Sequence, residues 1–210
     1  MTAATHPAFQ GLWFVSRASG LALLVVFTLT VALGAAARTG AGSRRWPRFA
    51  VAELHRTLAL FAVAFLVLHV VTAILDPFVT IGWLATVLPL ASPYRTAAIG
   101  LGAMAVDLGA AVVITSLARQ RLGYRAWRTV HWLAYLGWPV AFLHSLTAGS
   151  DLRIWWVAAI EWGCAAAAGT AVLARLLHVL RPPVPADGPL EVLPRVTRPR
   201  IGAFRQARLP

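Results

Sequence analysis

Four histidines are the residues of this chain best suited to chemistry. His55 and His69 stand fourteen positions apart in an apolar stretch from Leu54 to Leu75, and His131 and His144 thirteen apart in another, from Thr129 to Ser150. Histidine is costly in hydrocarbon and marks function when it lies within a spanning helix. At about 1.5 Å of rise per residue, fourteen residues separate two side chains by about 21 Å, most of the roughly 30 Å hydrocarbon thickness. Each stretch therefore carries one imidazole near each membrane face. Neither has a second histidine three or four residues away, so neither builds a compact metal site alone, and each imidazole needs a partner on the other stretch. Two opposed imidazoles with a wide gap between them suit the two axial positions of a planar haem.

The elements that must position them are membrane helices. The chain has 210 residues, 59% hydrophobic and only 12% charged, with a mean hydropathy of +0.72. That composition belongs to an integral membrane protein. The net charge of +12 comes from nineteen arginines and no lysine. These arginines fall between apolar segments, which reads as membrane topology and argues against nucleic acid as a partner. Five segments are long enough to span: Ala18 to Ala37, Glu53 to Leu75, Thr96 to Ala118, Thr129 to Ser150 and Ile154 to about Leu180. Phe78 to Leu90 is apolar but only thirteen residues long and closed by Pro89, which suits a short re-entrant or interfacial segment. The fold class is thus an all-α membrane protein, a bundle of five transmembrane helices.

Arginine-rich loops from Arg38 to Arg56 and from Arg119 to Arg128, and the tail after Arg175, predict a cytoplasmic membrane location with the N-terminus outside and the C-terminus in the cytoplasm. With five spans the two histidine helices run in the same direction. His55 then pairs with His131 near the cytoplasm, and His69 with His144 near the outer face. One phase problem remains. On a regular helix fourteen residues return a side chain to within about 40° of its starting direction, but thirteen leave it about 140° away. Gly137, Trp138 and Pro139 lie between His131 and His144, and the sequence predicts a local departure from α geometry there.

The remaining segments and polar residues are read more simply. Met1 to Gln10 lacks the basic region and cleavage site of a secretory signal, so the first apolar segment is expected to be retained. Residues 1–16 form an N-terminal extracytoplasmic segment, 17–181 the membrane domain, and 182–210 a cytoplasmic tail rich in proline and arginine. Such a tail is expected to be disordered and to rest on anionic lipid. The single cysteine, Cys164, reads as a small packed helix residue. Asp107 and Glu161 are acids inside spans, each either a proton relay or a hydrogen-bonded bundle residue. Phe61, Phe65, Tyr135 and Trp138 fall between the two histidine levels. Gly100 to Ala105 formally matches a dinucleotide fingerprint, but small residues for close helix or haem packing explain it better within a span.

The two histidine pairs, with Arg17-Ala18-Ser19-Gly20, Leu54-His55-Arg56, Ser92-Pro93-Tyr94-Arg95 and Trp127-Arg128 leading to His131-Trp132, resemble the ferric reductase-like transmembrane domain. That domain is shared by ferric reductases and NADPH oxidases, and the likeness covers roughly Trp13 to Leu180. The resemblance implies an oxidoreductase membrane subunit with two stacked b-type haems, each iron held by two histidines: His55 with His131, and His69 with His144. It implies electron transfer from a cytoplasmic donor to an extracytoplasmic acceptor. Haem propionates need cations, for which Arg56, Arg125 and Arg128 stand near the inner ligands and Arg17, Arg95 and Arg153 near the outer. About thirty residues follow the last helix, too few for flavin and nicotinamide domains. The donor is then expected to be a separate flavoprotein or a quinol. A related reading is the haem subunit of a methionine sulfoxide reductase system. One of another class is a non-haem proton-coupled transporter or channel, with the histidines and Asp107 forming the proton path.

Overall fold

The computed structural model describes residues 7–37, 47–77, 79 and 81–180. The arginines at 38, 44 and 45, on which the orientation argument partly rests, lie outside the described residues, as does the tail from 181 to 210. Met1–Val179 form one compact unit. Among the described residues every regular element is helical: α1 (Pro7–Ala36), α2 (Arg48–Leu75), α3 (Thr96–Leu117), α4 (Arg119–Leu122), α5 (Tyr124–His131), α6 (Leu133–Ala148) and α7 (Trp155–Leu180), with short 3-10 helices at Trp83–Thr86 and Asp151–Arg153.

Boundaries follow local chemistry. Pro7 opens α1, where its missing N–H costs nothing. Asp76-Pro77 closes α2, since the residue before a proline is pushed out of the α region. Gly123, at φ 76°, separates α4 from α5 in a conformation that a side chain would strain. α1, α2, α3 and α7 each contain a stretch long and apolar enough to cross a membrane: Gly11–Ala36, Phe49–Leu75, Thr96–Leu117 and Trp155–Leu180. Large apolar side chains such as Leu29, Val67, Leu143 and Leu173 face outward, as lipid as solvent requires. The chain is a multi-pass membrane protein.

The segment expected as a fifth span differs in form. It is divided at Trp132 into α5, of eight residues, and α6, of 16, and α6 alone falls short of the about 20 residues a span needs. α6 runs unbroken through Gly137, Trp138 and Pro139. The departure from α geometry expected there is instead one residue past His131, where Trp132 N–H bonds to Thr129 O at 3.3 Å and Tyr135 N–H to Trp132 O at 3.0 Å. These are i to i−3 bonds, and each residue wound at three per turn adds about 20° of rotation. The added rotation moves His144 toward the phase of His131, the direction that thirteen-residue spacing demands. Proline is tolerated in α6 because it removes a single donor, a loss that neighbouring groups in a membrane bundle absorb.

Of the Phe78 to Leu90 segment, Phe78 and Thr80 lie outside the described residues and the rest forms no span. Its one regular piece is the Trp83–Thr86 turn, with Trp83 and Leu84 exposed and Ala85 buried. The loop folds onto α3, where a Cβ on Gly100 would stand 3.1 Å from the Leu90 nitrogen.

α1 packs along α2, α3 packs along α6, and α1 also touches α6. The small core lies where three helices meet: Leu24 and Val31 of α1, Trp138 of α6, and Cys164 and Ala168 of α7. Trp138 is buried and donates from Nε1 to Thr28 Oγ1 at 2.9 Å, tying α6 to α1 in the middle of the bundle.

Candidate metal and cofactor site

The structure brings the four histidines together as two pairs. The rings of His55 and His131 have centroids 6.2 Å apart, and those of His69 and His144 6.3 Å apart. First meets first and second meets second, so α2 and the α5–α6 segment run in the same direction. A histidine nitrogen binds a first-row metal at about 2.0 Å and lies about 1.1 Å from its ring centre, so one metal held between two imidazoles sets their centroids about 6 Å apart. Both pairs match that spacing.

Three of the four imidazoles are oriented by one repeated device. His69 Nδ1 lies 2.7 Å from Ser16 O, His55 Nδ1 3.0 Å from Thr30 O, and His144 Nδ1 2.8 Å from Ala98 O. A carbonyl only accepts, so Nδ1 carries the proton and donates, which leaves Nε2 with its lone pair free for a metal. Four residues beyond each carbonyl stands a glycine beneath the same ring. A Cβ would come within 2.9 Å of the His69 ring at Gly20, 3.2 Å of His55 at Gly34, and 2.7 Å of His144 at Gly102. Contacts below 3.0 Å force atoms to move, so glycine at 20 and 102 is what lets these rings seat against the neighbouring helix. Gly20 and Gly102 belong to motifs legible in the sequence. Gly34 was readable only from its fourteen-residue distance to Gly20, the spacing of His55 and His69.

His131 is held differently. Its ring lies 5.0 Å from that of Trp127, whose Nε1 donates to Ser116 Oγ of α3 at 3.2 Å.

A cavity of about 1750 Å³ runs between the helices, lined by all four histidines and by Gly20, Gly34 and Gly102. A pocket for one small ligand holds about 300–1,000 Å³, so this space is larger than one such ligand requires. Among the described residues no group of three or more His, Cys, Asp or Glu converges on a metal position. The donor set at each level is two imidazoles, which suits a metal whose other ligands come from a planar macrocycle.

The arginines divide. Arg17, Arg56, Arg95 and Arg128 line the cavity, whereas Arg125 and Arg153 do not, and Arg153 is exposed. Arg17 pairs through Nε with Asp151 Oδ2, and its guanidinium stacks 5.0 Å from the Trp13 ring. Arg95 donates to Ala148 O at 3.0 Å. Arg175, absent from the sequence-based site, is buried on α7 and lines the cavity.

Of the four aromatic residues expected between the histidine levels, Tyr135 lines the cavity, Trp138 is in the core, and Phe61 and Phe65 do neither. Phe27 of α1 lines it instead. Asp107 is exposed on α3 and not brought to the histidines, while Glu161 is buried and accepts from Ser145 Oγ at 2.7 Å. A proton path through the histidines and Asp107 therefore finds no support in this packing.

Comparison with curated proteins and with solved structures finds no significant match. The model of one family, described as the ferric reductase-like transmembrane component, matches residues 19–142, a stretch that takes in His55, His69 and His131, the glycines at 20, 34 and 102, and ends two positions before His144. With well over half its length matched, this chain belongs to the ferric reductase-like transmembrane component family, which suggests a transmembrane oxidoreductase function.

Proposed function

We propose that this protein transfers electrons across the cytoplasmic membrane through two b-type haems, one held by His55 and His131 and one by His69 and His144. The observation that carries this is the pair of ring separations, 6.2 and 6.3 Å, with Nδ1 of three rings tied to backbone carbonyls. Haem iron, when bound, supplies a reversible one-electron couple. The chain's own groups hold and orient it. Each carbonyl fixes the tautomer and plane of a ligand ring, and each glycine clears the space against which that ring seats. In this reading α5 and α6 cross the membrane together as the fifth span.

Direction follows the arginines. Arg56, Arg119 and Arg128 line the cavity at the His55/His131 end, which faces the cytoplasm by the positive-inside rule. Electrons enter there from a flavoprotein or a quinol and leave to an acceptor at the end marked by Asp76 and Asp151. Arg17 and Arg95 at that end, and Arg56 and Arg128 at the other, provide cations for propionates.

The experiment is direct. Purified protein reduced with dithionite should show a b-type α-band and two haems per chain by pyridine haemochrome. His69→Ala should keep only the cytoplasmic-side haem and His131→Ala only the other. A colourless protein, or two haems retained in either variant, refutes the reading.

A further inference from the structure

At the His55/His131 end a line of aromatic rings leads from a candidate ligand to the surface. Tyr124, Trp127 and His131 stand at i, i+3 and i+7 of α5, on one face of the helix. The Trp127 ring lies 5.0 Å from that of His131, and the Tyr124 ring 5.7 Å from that of Trp127. Tyr124 opens α5 directly after Gly123 and is 54% exposed. The same α4–α5 stretch presents Arg119, Arg121, Arg125 and Arg128, all exposed, and the Arg119 guanidinium lies 5.2 Å from the centre of the Trp127 ring. From Arg119 to His131 there is no acid. Elsewhere at this end α2 presents Arg56 and Glu53, the latter the one acid among the described residues there. α7 adds the buried Arg175, 5.9 Å from the centre of the Trp132 ring, and the exposed His178.

The positive-inside rule accounts for the side these arginines take. It does not call for rings packed in line from a histidine of the site to an exposed tyrosine among them. Electron tunnelling weakens steeply with distance, and packed rings bridge a gap better than water does. A surface rich in one sign of charge draws in and orients a partner of the other sign. Resting on the haem reading above, we propose that the α4–α5 turn is where electrons enter. The acidic face of a reduced flavoprotein seats on Arg119, Arg121, Arg125 and Arg128, with its flavin edge toward Tyr124. One electron leaves the anionic reduced flavin and arrives at the His55/His131 site. Tyr124 and Trp127 are neither oxidised nor reduced in this step and serve to shorten the gap. The charge pairs lie at the rim of the contact, where they govern the rate of encounter more than its strength.

Stopped-flow reduction in nanodiscs of zwitterionic lipid tests this, followed at the α-band of the His69→Ala chain, which keeps only the His55/His131 haem. Two donors are compared: a photoreduced flavodoxin with an acidic surface, and photoreduced riboflavin, which has the same ring system and no protein around it. Arg121 and Arg125 do not line the cavity, so Arg121→Gln with Arg125→Gln should leave the haem content intact. The pair should slow reduction by flavodoxin about tenfold at low salt, within the range of electrostatic steering. That loss should shrink as salt rises, and riboflavin should be little affected. Tyr124→Leu should slow both donors, and Tyr124→Phe should restore both. The arginine effect should persist in nanodiscs containing phosphatidylglycerol. Its disappearance there would assign the arginines to lipid headgroups and overturn the proposal, as would equal slowing of both donors by the arginine pair, slowing of neither, or an unaltered rate in Tyr124→Leu. If Tyr124→Leu loses its haem, the arginine pair measured against the two donors decides. Absence of any α-band in the unmodified chain sinks the parent reading and this one together, an outcome distinct from a haem whose reduction ignores Arg121 and Arg125.

Discussion

The α1–α2 half and the α3–α6 half of the bundle have the same plan with one difference. In each, a histidine helix packs against a helix that offers it carbonyls and glycines. α1 does this twice, with Ser16 and Gly20 for His69 and Thr30 and Gly34 for His55. α3 does it once, with Ala98 and Gly102 for His144. Fourteen residues beyond Gly102, where the pattern of α1 would place a second glycine, stands Ser116, which receives the Trp127 indole beside His131. The irregularity at Trp132 and the thirteen-residue spacing belong to that same site. The regular half has an unbroken histidine helix and a glycine for each ring. The irregular half seats His131 with a tightened turn and an aromatic neighbour.

The most forceful way to break this comparison is to add one methyl group at each glycine. The distances rank the outcome: Gly102→Ala puts Cβ 2.7 Å from the His144 ring, Gly20→Ala 2.9 Å from His69, and Gly34→Ala 3.2 Å from His55. Overpacking costs typically about 1–3 kcal/mol. On the proposed two-haem reading, Gly102→Ala should therefore weaken haem retention at His69/His144 by about tenfold or more, with Gly20→Ala next and Gly34→Ala least. Haem occupancy per site after mild detergent challenge measures it. Equal retention in all three would mean that the rings do not rest on these glycines.

Much of this was legible beforehand because hydrocarbon makes polar residues conspicuous. The pairing of His55 with His131 and of His69 with His144 followed from spacing and helix direction alone, and the structure places those rings together. What escaped notice were relations that need three dimensions. The fourteen-residue interval from Gly20 to Gly34, equal to that of His55 and His69, gains its meaning only once α1 is laid antiparallel to α2. Phe61 and Phe27 are equally apolar, and only packing decides that Phe27 faces the cavity while Phe61 faces outward. Pro139 drew attention as a helix breaker, yet the chain yields at Trp132, where a thirteen-residue interval must be reconciled with a neighbouring helix.

A second test separates what the halves share from what divides them. Thr28→Val keeps the shape of the side chain but deprives the buried Trp138 Nε1–H of its acceptor. Leaving a buried donor unpaired costs about 1–3 kcal/mol. Because this bond joins α1 to α6 between the two histidine levels, thermal stability should fall and, on the proposed reading, both haems should be lost in parallel. Selective loss of one would place Trp138 in a single site.

Ser116→Ala sharpens the comparison from the other side. It removes the hydroxyl that accepts from Trp127, an exposed bond worth no more than about 0.5–1.5 kcal/mol. The effect should be confined to the His55/His131 site, visible as a faster off-rate of that haem with the other unaltered. If the His69/His144 haem responds as strongly, Trp127 is not the device that substitutes for a glycine.

The smallest effect is expected where the halves are stitched at their acidic end. Arg17 of α1 pairs with Asp151, in the turn after α6, and the two side chains are 23% and 27% exposed. A pair that water still reaches gains little from its Coulomb attraction, with a typical worth below about 1 kcal/mol. Asp151→Asn should therefore lower thermal stability only slightly at low salt, and by less still near 1 M, because salt weakens interactions between charges that water reaches. Should this variant instead strip the His69/His144 haem, Arg17 would be holding more than Asp151, and the ion pair would be part of that site's architecture, since Arg17 lines the same cavity.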